Sequence, residues 1–181
     1  MTRLQEKYLK EVVPALKDEF GYKNPHQVPK VVKVVVNAGA GRATGDSRVL
    51  EQAMETLSIV TGQKPVATVA RKSIASFKLR EGNKIGAMVT LRGARAAEFI
   101  DQLVSVALPR VRDFRGISVE AFDPFGNYSL GLSDQTIFPQ IKIEDNPVPH
   151  GLQINVVTTA KTAAEGRRLL ELLGFPFRRN A

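Results

Sequence analysis

Residues 57–92 read LSIVTGQKPVATVARKSIASFKLREGNKIGAMVTLR. Two apolar runs, 65–70 and 85–91, bracket a segment rich in Arg, Lys, Ser and Gly. The second run alternates. Ile85, Ala87, Val89 and Leu91 point one way, while Met88, Thr90 and Arg92 point the other, the two-residue period of a strand with one buried face. The connection between the runs carries Arg71, Lys72, Lys78, Arg80 and Lys84 against a single acid, Glu81. Five cations cannot neutralise one another. Two readings stand side by side: a site for an external polyanion, or a solvated loop that keeps the protein soluble.

Upstream, KVVKVVVN at 30–37 repeats the strand pattern, with Val32, Val34 and Val36 on one face and Lys33, Val35 and Asn37 on the other. A core face backed by a polar, cationic face thus occurs twice. Between these strands AGAGRATGD, 38–46, predicts a glycine turn into a helix beginning near Asp46 or Ser47. Its buried stripe is Val49, Leu50, Ala53, Leu57 and Val60, and Gly62 closes it. The first twenty residues carry a helical stripe at Leu4, Tyr8, Leu9, Val12, Val13, Leu16 and Phe20. Thr2 and Gln5 form a capping box, Gly21 ends the helix, and Pro14 should kink or divide it.

Downstream, 94–108 predicts a helix ended by Pro109, and 117–122 and 128–132 predict strands joined through the turn 123–127. Residues 133–150, with Pro139, Pro147 and Pro149, predict irregular structure. A strand follows at 152–159. Thr162 and Glu165 make a capping box for a last helix through Leu173, and FPFRRN reads as a short tail. There is no internal repeat and no break in composition. The expectation is α+β: a single domain over 1–181, a twisted, mostly antiparallel sheet with helices packed on one face, and a long basic loop.

Charge narrows the function classes. Lys and Arg number 26 against 18 acids, a formal net charge of +8 on 181 residues. Such an excess favours nucleic acid or an anionic surface as partner. No apolar run approaches the length of a membrane-spanning helix, and MTRLQEKYLK is not a secretory signal, so no membrane partner and a cytoplasmic location are expected. Cysteine is absent and the only histidines, His26 and His150, are far apart in sequence, which argues against thiolate zinc sites and histidine-centred catalysis. No metal, cofactor or small-molecule substrate is expected.

One enzymatic pattern requires weighing. Gly39, Gly41 and Gly45 follow a strand at GxGxxxG spacing and precede a helix, as in a dinucleotide-binding turn. The next strand, 65–70, lacks the terminal carboxylate that would hold a ribose hydroxyl, and none of Tyr8, Tyr22 or Tyr128 is followed four residues later by Lys. Close approach of backbone to a nucleic-acid phosphate also accounts for these glycines. Asp113, Glu120 and Asp123 sit among arginines or in a turn, where ion pairing or turn capping accounts for them; Asp134, Glu144 and Asp145 form no catalytic pattern. Arg167, Arg168, Arg178 and Arg179 make a second basic area, either a solvated helix face and tail or an RNA contact.

Lys33, Asn37, Thr90 and Arg92 line the second face of the sheet, and Gln63 and Lys64 lie at its edge beside the Gly39–Gly41 turn. Cations and backbone amides suit phosphates, while Asn, Gln and Thr hydrogen-bond sugars and base edges. This face carries no aromatic residue, so recognition of folded RNA by shape and backbone fits better than single-strand reading.

The segments KVVVNAGAG, TGQKPVATVARKSIASFKLREGNKIGAMVTLRG, PRVRDFRG, FDPFGNYSLG, IFPQI and GRRLLELLGFPFRR, in this order, closely resemble the bacterial large-subunit ribosomal protein five family. The resemblance runs essentially end to end. It implies a non-enzymatic protein of the central protuberance that binds 5S rRNA and helps attach it to 23S rRNA. Asn37, Gln63 and Thr90 match family residues in the 5S contact, with Lys33 and Arg92 beside them and Gly39, Gly41 and Lys64 at the same edge. The segment with Arg71, Lys72, Ser73, Lys78, Arg80 and Lys84 resembles the family's extension toward the elbow of P-site tRNA. The resemblance also implies contact with a small-subunit head protein, number thirteen, from a surface within 110–150.

Overall fold

The computed structural model describes residues 1–41, 47–141 and 149–178. Gly45, Asp46, Glu144, Asp145, Pro147 and Arg179 lie outside the described residues.

Five strands form one sheet in the order β2-β3-β1-β5-β4, where β1 is Val31–Gly39, β2 Val66–Val69, β3 Lys84–Leu91, β4 Tyr128–Leu132 and β5 Leu152–Thr158. β2 and β3 pair antiparallel, with Val66 opposite Met88 and Ala67 opposite Ala87. The end of β1 meets the start of β3 through Ala40 N donating to Ile85 O at 3.0 Å, and its start meets the end of β5 through Thr159 N donating to Lys30 O at 3.0 Å. Both contacts are those of antiparallel neighbours. With helices α1 Arg3–Lys7, α2 Val13–Phe20, α3 Ser47–Thr61, α4 Gly93–Gln102 and α5 Ala163–Leu173, the fold is α+β.

The chain divides into two compact units, Met1–Val34 with Arg92–Leu130 and Asn155–Ala181, and Val35–Leu91 with Gly131–Ile154. In the second unit α3 packs on β3. Leu50, Ala53, Leu57 and Val60 are buried along α3, and Ala87, Val89 and Leu91 along β3. Burying side chains of this size contributes about 1.5–3 kcal/mol for each Val or Leu. Gly62, left-handed at φ 64, ends α3, its N–H donating to Ser58 O at 2.9 Å.

In the first unit α1 packs against α4. Thr2 caps α1, with Thr2 N donating to Gln5 Oε1 at 3.1 Å and Gln5 N to Thr2 Oγ1 at 3.4 Å. Residues 3–20 stay helical through Pro14, which lies in the first turn of α2. A π-helical turn, Tyr8–Val12, precedes it and places the wider spacing where Pro14 lacks its N–H and its ring would meet the preceding turn.

Three expectations need correction. Residues 117–122 form no strand. Ile117 makes an isolated parallel bridge to Phe177, Phe122 an antiparallel one to Tyr128, and between them Glu120 N donates to Ser118 Oγ, turning the chain. The FPF stretch is not a free tail either. Ile117 N donates to Pro176 O at 2.9 Å and Arg178 N to Ile117 O at 3.0 Å. Phe177 stands edge-on to Tyr128, centroids 5.5 Å apart, and Phe122 lies 4.6 Å from Tyr128. Burial in this cluster pushes the Tyr128 phenol up to about 12, and its hydroxyl donates to Ser118 O at 2.8 Å. At α5 the capping is split: Thr162 Oγ1 accepts from Glu165 N, but the Glu165 carboxylate accepts from Lys161 N at 2.8 Å.

Candidate nucleic-acid interface

Strand alternation builds the second face of the sheet. On β1 Val34, Val36 and Ala38 are fully buried, while Lys33, Val35 and Asn37 are half-buried. Val32 departs from the expected core face: it is exposed, being at the start of the strand before burial begins. On β3 Ala87, Val89 and Leu91 are buried, Thr90 is half-buried, and Met88 and the following Arg92 are exposed. None of Lys33, Asn37, Thr90 and Arg92 is buried. Among the described residues the Asn37 amide and the Thr90 hydroxyl have no hydrogen-bonding partner.

Within the second unit the loop after α3 brings Gln63 to β3. Gln63 Nε2 donates to Thr90 O at 3.3 Å, and Gln63 N donates to Thr61 Oγ1 at 3.3 Å. Asn37, Gln63, Lys64 and Thr90 therefore belong to one compact unit, with Lys64 exposed. Lys33 and Arg92 belong to the other unit, although Lys33 shares its side of β1 with Asn37. Gly39 and Gly41 are exposed, and a Cβ on either would meet nothing within 4 Å. Neither has a left-handed φ, so no internal constraint requires glycine there. β2 ends at Val69, followed by Ala70 and Arg71, with no acid for a ribose hydroxyl.

The face also carries an apolar pair that a purely polar reading omits. Val66 and Met88 are direct cross-strand partners, and Val66 is 66% exposed. Met88 was legible on this face from its alternation, but Val66 was not, because β2 is too short to show a period.

The 70–83 connection folds back on itself. Ala70 N donates to Asn83 O at 2.8 Å and Gly82 N to Ala70 O at 3.0 Å, while Ile74 and Leu79 exchange backbone bonds of 2.9 and 3.1 Å. The side chains of Arg71, Lys72, Lys78, Arg80 and Lys84 are exposed, and among the described residues none is ion-paired. Ser73 is engaged internally: its hydroxyl accepts from Glu81 N at 2.9 Å.

The second basic area behaves differently. Arg167 pairs with Glu171 at 2.8 Å, and Arg168 with Glu19 at 2.7 Å and Glu171 at 3.3 Å. Hydrogen bonding to Glu19 and Glu171 raises the Arg168 pKa further above its already high value. Arg178 donates to Gly116 O. Arg167, Arg168 and Arg178 thus all make contacts within the fold. In the 123–127 turn burial opposes the Asp123 charge. Bonds from the Asn127 amide and from the N–H groups of Asn127 and Phe125 outweigh it, holding the carboxyl below the usual range. Asp123 is thus a turn-capping group.

Residues 24–80 match the family model described as ribosomal protein L5, and residues 84–177 match the companion model for the C-terminus of the same ribosomal family. The large ribosomal subunit protein uL5 of Rubrobacter xylanophilus is 57% identical over 180 residues, covering 99% of this chain and 100% of the relative. The uL5 of Thermoanaerobacter sp. is 56% identical over 177 residues, covering 98% and 99%. That of Acaryochloris marina is 52% identical over 178 residues, covering 98% of each.

Proposed function

From a chain that belongs to the ribosomal protein L5 family, we propose a ribosomal RNA-binding function exercised through the open face of β1 and β3. The protein is a structural, non-enzymatic constituent of the large ribosomal subunit, binds rRNA there, and shares the ribosome's cytoplasmic place. Its specific partner is 5S rRNA, which it helps attach to 23S rRNA in the central protuberance. Lys33, Asn37, Gly39, Gly41, Gln63, Lys64, Thr90 and Arg92 make the 5S contact.

One observation carries this reading. Asn37 and Thr90 sit on strands whose alternate residues are completely buried, yet they themselves are only half-buried, and among the described residues their side-chain polar groups have no hydrogen-bonding partner. A face of two amides, a hydroxyl, cations and an apolar pair matches the minor groove of folded RNA, with its sugars, base edges and phosphates. The exposed cations of 71–84, with Ser73, contact P-site tRNA, and a surface within 110–150 contacts small-subunit head protein thirteen.

Filter binding of the full chain to 5S rRNA and to an unrelated RNA of equal length tests the reading. Preference for 5S rRNA supports it. Equal affinity for both reduces the protein to a basic chain without specificity, and tight NADPH binding without RNA binding would favour the dinucleotide turn.

A further inference from the structure

We propose that Phe77 is a stacking platform for an exposed nucleobase at the tip of the 70–83 connection. The inference rests on the reading that this connection meets RNA. It adds a recognition chemistry that the cations alone lack.

Phe77 is 70% exposed, more than any other large apolar side chain of the described residues except Met1. It does not lie on a loose chain. Ala75–Phe77 form a 3-10 turn, Phe77 N donates to Ile74 O at 3.3 Å, and Lys78 N donates to Ala75 O at 3.0 Å. The backbone bonds between Ile74 and Leu79 close this turn from below. Lys78 adopts a left-handed conformation at φ 52, unusual for a non-glycine residue, which fixes the way the chain leaves the tip. The ring is therefore presented from a hydrogen-bonded support, and its entropy cost on binding is small.

The surroundings select the occupant. In the same connection a concavity is lined by Ser73, Ala75, Lys78, Leu79 and Arg80, which brings two cations to it. Ile74, 41% exposed, adds apolar surface. A second copy of this chain would bring like charges together at the tip. An acidic protein could satisfy the cations but has no particular need of a flat exposed ring. Nucleic acid offers both partners at one place: a planar base face for Phe77 and phosphates for Lys78 and Arg80. The target chemistry is an unpaired base, or the outer face of a terminal base pair, on a folded RNA.

The test uses ribosomes assembled with the full-length protein carrying Phe77→Leu, Phe77→Tyr or the double change Lys78→Gln, Arg80→Gln. Thermal unfolding of each free variant and 5S content of each subunit establish that folding and assembly are intact. P-site tRNA affinity is measured across a salt series. Stacking on one base is worth about 1–3 kcal/mol, a loss of about 5- to 150-fold. Phe77→Leu should show that loss with the salt slope unchanged, Phe77→Tyr should bind like the native protein, and the cation variant should flatten the slope. If Phe77→Leu binds tRNA within twofold of the native protein while the cation variant weakens it, stacking is refuted and the RNA reading of the segment survives. If Phe77→Leu and Phe77→Tyr lose equally, shape and not aromaticity is at work, and stacking is again refuted. If no variant changes tRNA affinity, both the stacking and the reading beneath it fall.

Discussion

Replacing Gly166 by Ala should destabilise the first unit, although helix propensity favours the change. Gly166 lies inside α5, where Ala is preferred over Gly by about 0.8–1.0 kcal/mol. A Cβ there would run into the Gly126 carbonyl oxygen and stand 2.7 Å from its Cα and 2.8 Å from its carbonyl carbon, where ordinary contact begins at 3.4 Å. All three are backbone atoms, so no side chain can swing aside. Nor can the turn retreat freely: Gly126 O accepts from the buried Thr158 hydroxyl at 2.9 Å, and Gly126 N donates to Asp123 O at 3.1 Å. Overpacking costs about 1–3 kcal/mol and a lost hydrogen bond about 1 kcal/mol. After the helix gain is subtracted, a net loss of about 1–3 kcal/mol remains. For a chain of this size that is a fall in Tm of about 2–12 °C. Circular dichroism melts of Gly166→Ala beside Gly131→Ala give the measurement, since a Cβ at Gly131 meets nothing within 4 Å and should be neutral or slightly stabilising. A Gly166→Ala protein that melts at or above the native temperature would refute the close-contact reasoning.

Asn37→Ala should weaken 5S rRNA binding by about 1–3 kcal/mol, read by filter binding, if its loss leaves an RNA polar group buried and unpaired; an unchanged affinity would remove Asn37 from the contact. If Lys33, Lys64 and Arg92 each meet a phosphate, raising salt from about 50 to about 200 mM should cut 5S affinity about 20- to 40-fold. A flat salt response would mean that these cations stay in water. Changing Arg71, Lys72, Lys78, Arg80 and Lys84 together to Ala should lower P-site tRNA affinity on assembled ribosomes, and unchanged affinity would return the segment to the solvated-loop reading. The Asp123 carboxyl titrates below its unfolded value, so it stabilises the folded state fully above about pH 4 and loses that contribution as pH falls through the folded value. Chemical denaturation below about pH 4 should show a shallower acid decline for Asp123→Asn than for the native chain, and equal slopes would contradict the assigned hydrogen bonds.

The alternation on β1 and β3 was legible because a two-residue period is local and its buried half is strongly apolar: Val34, Val36, Val89 and Leu91 leave little choice of face. The same locality misled at 117–122. Its residues suit a strand, but Ile117 and Phe122 bridge to different elements, and which segments meet is set by chain packing. The role of Phe177 was hidden likewise, since its partners Phe122 and Tyr128 lie far off in the chain and leave no spacing to read. Gln63 was placed at the edge of the face from sequence, yet its bond to Thr90 O depends on how α3 ends at Gly62. The exposure of Phe77 could not be read at all: an aromatic residue between two strands reads as readily as a buried plug.

The account stands or falls on which surface holds 5S rRNA. Filter binding of native protein, a Lys33, Asn37, Thr90 and Arg92 quadruple Ala variant, and the five-cation 71–84 Ala variant separates the surfaces directly. The open-face account predicts that the quadruple variant loses 5S binding while the five-cation variant retains it. Retention by the quadruple variant and loss by the other would contradict it.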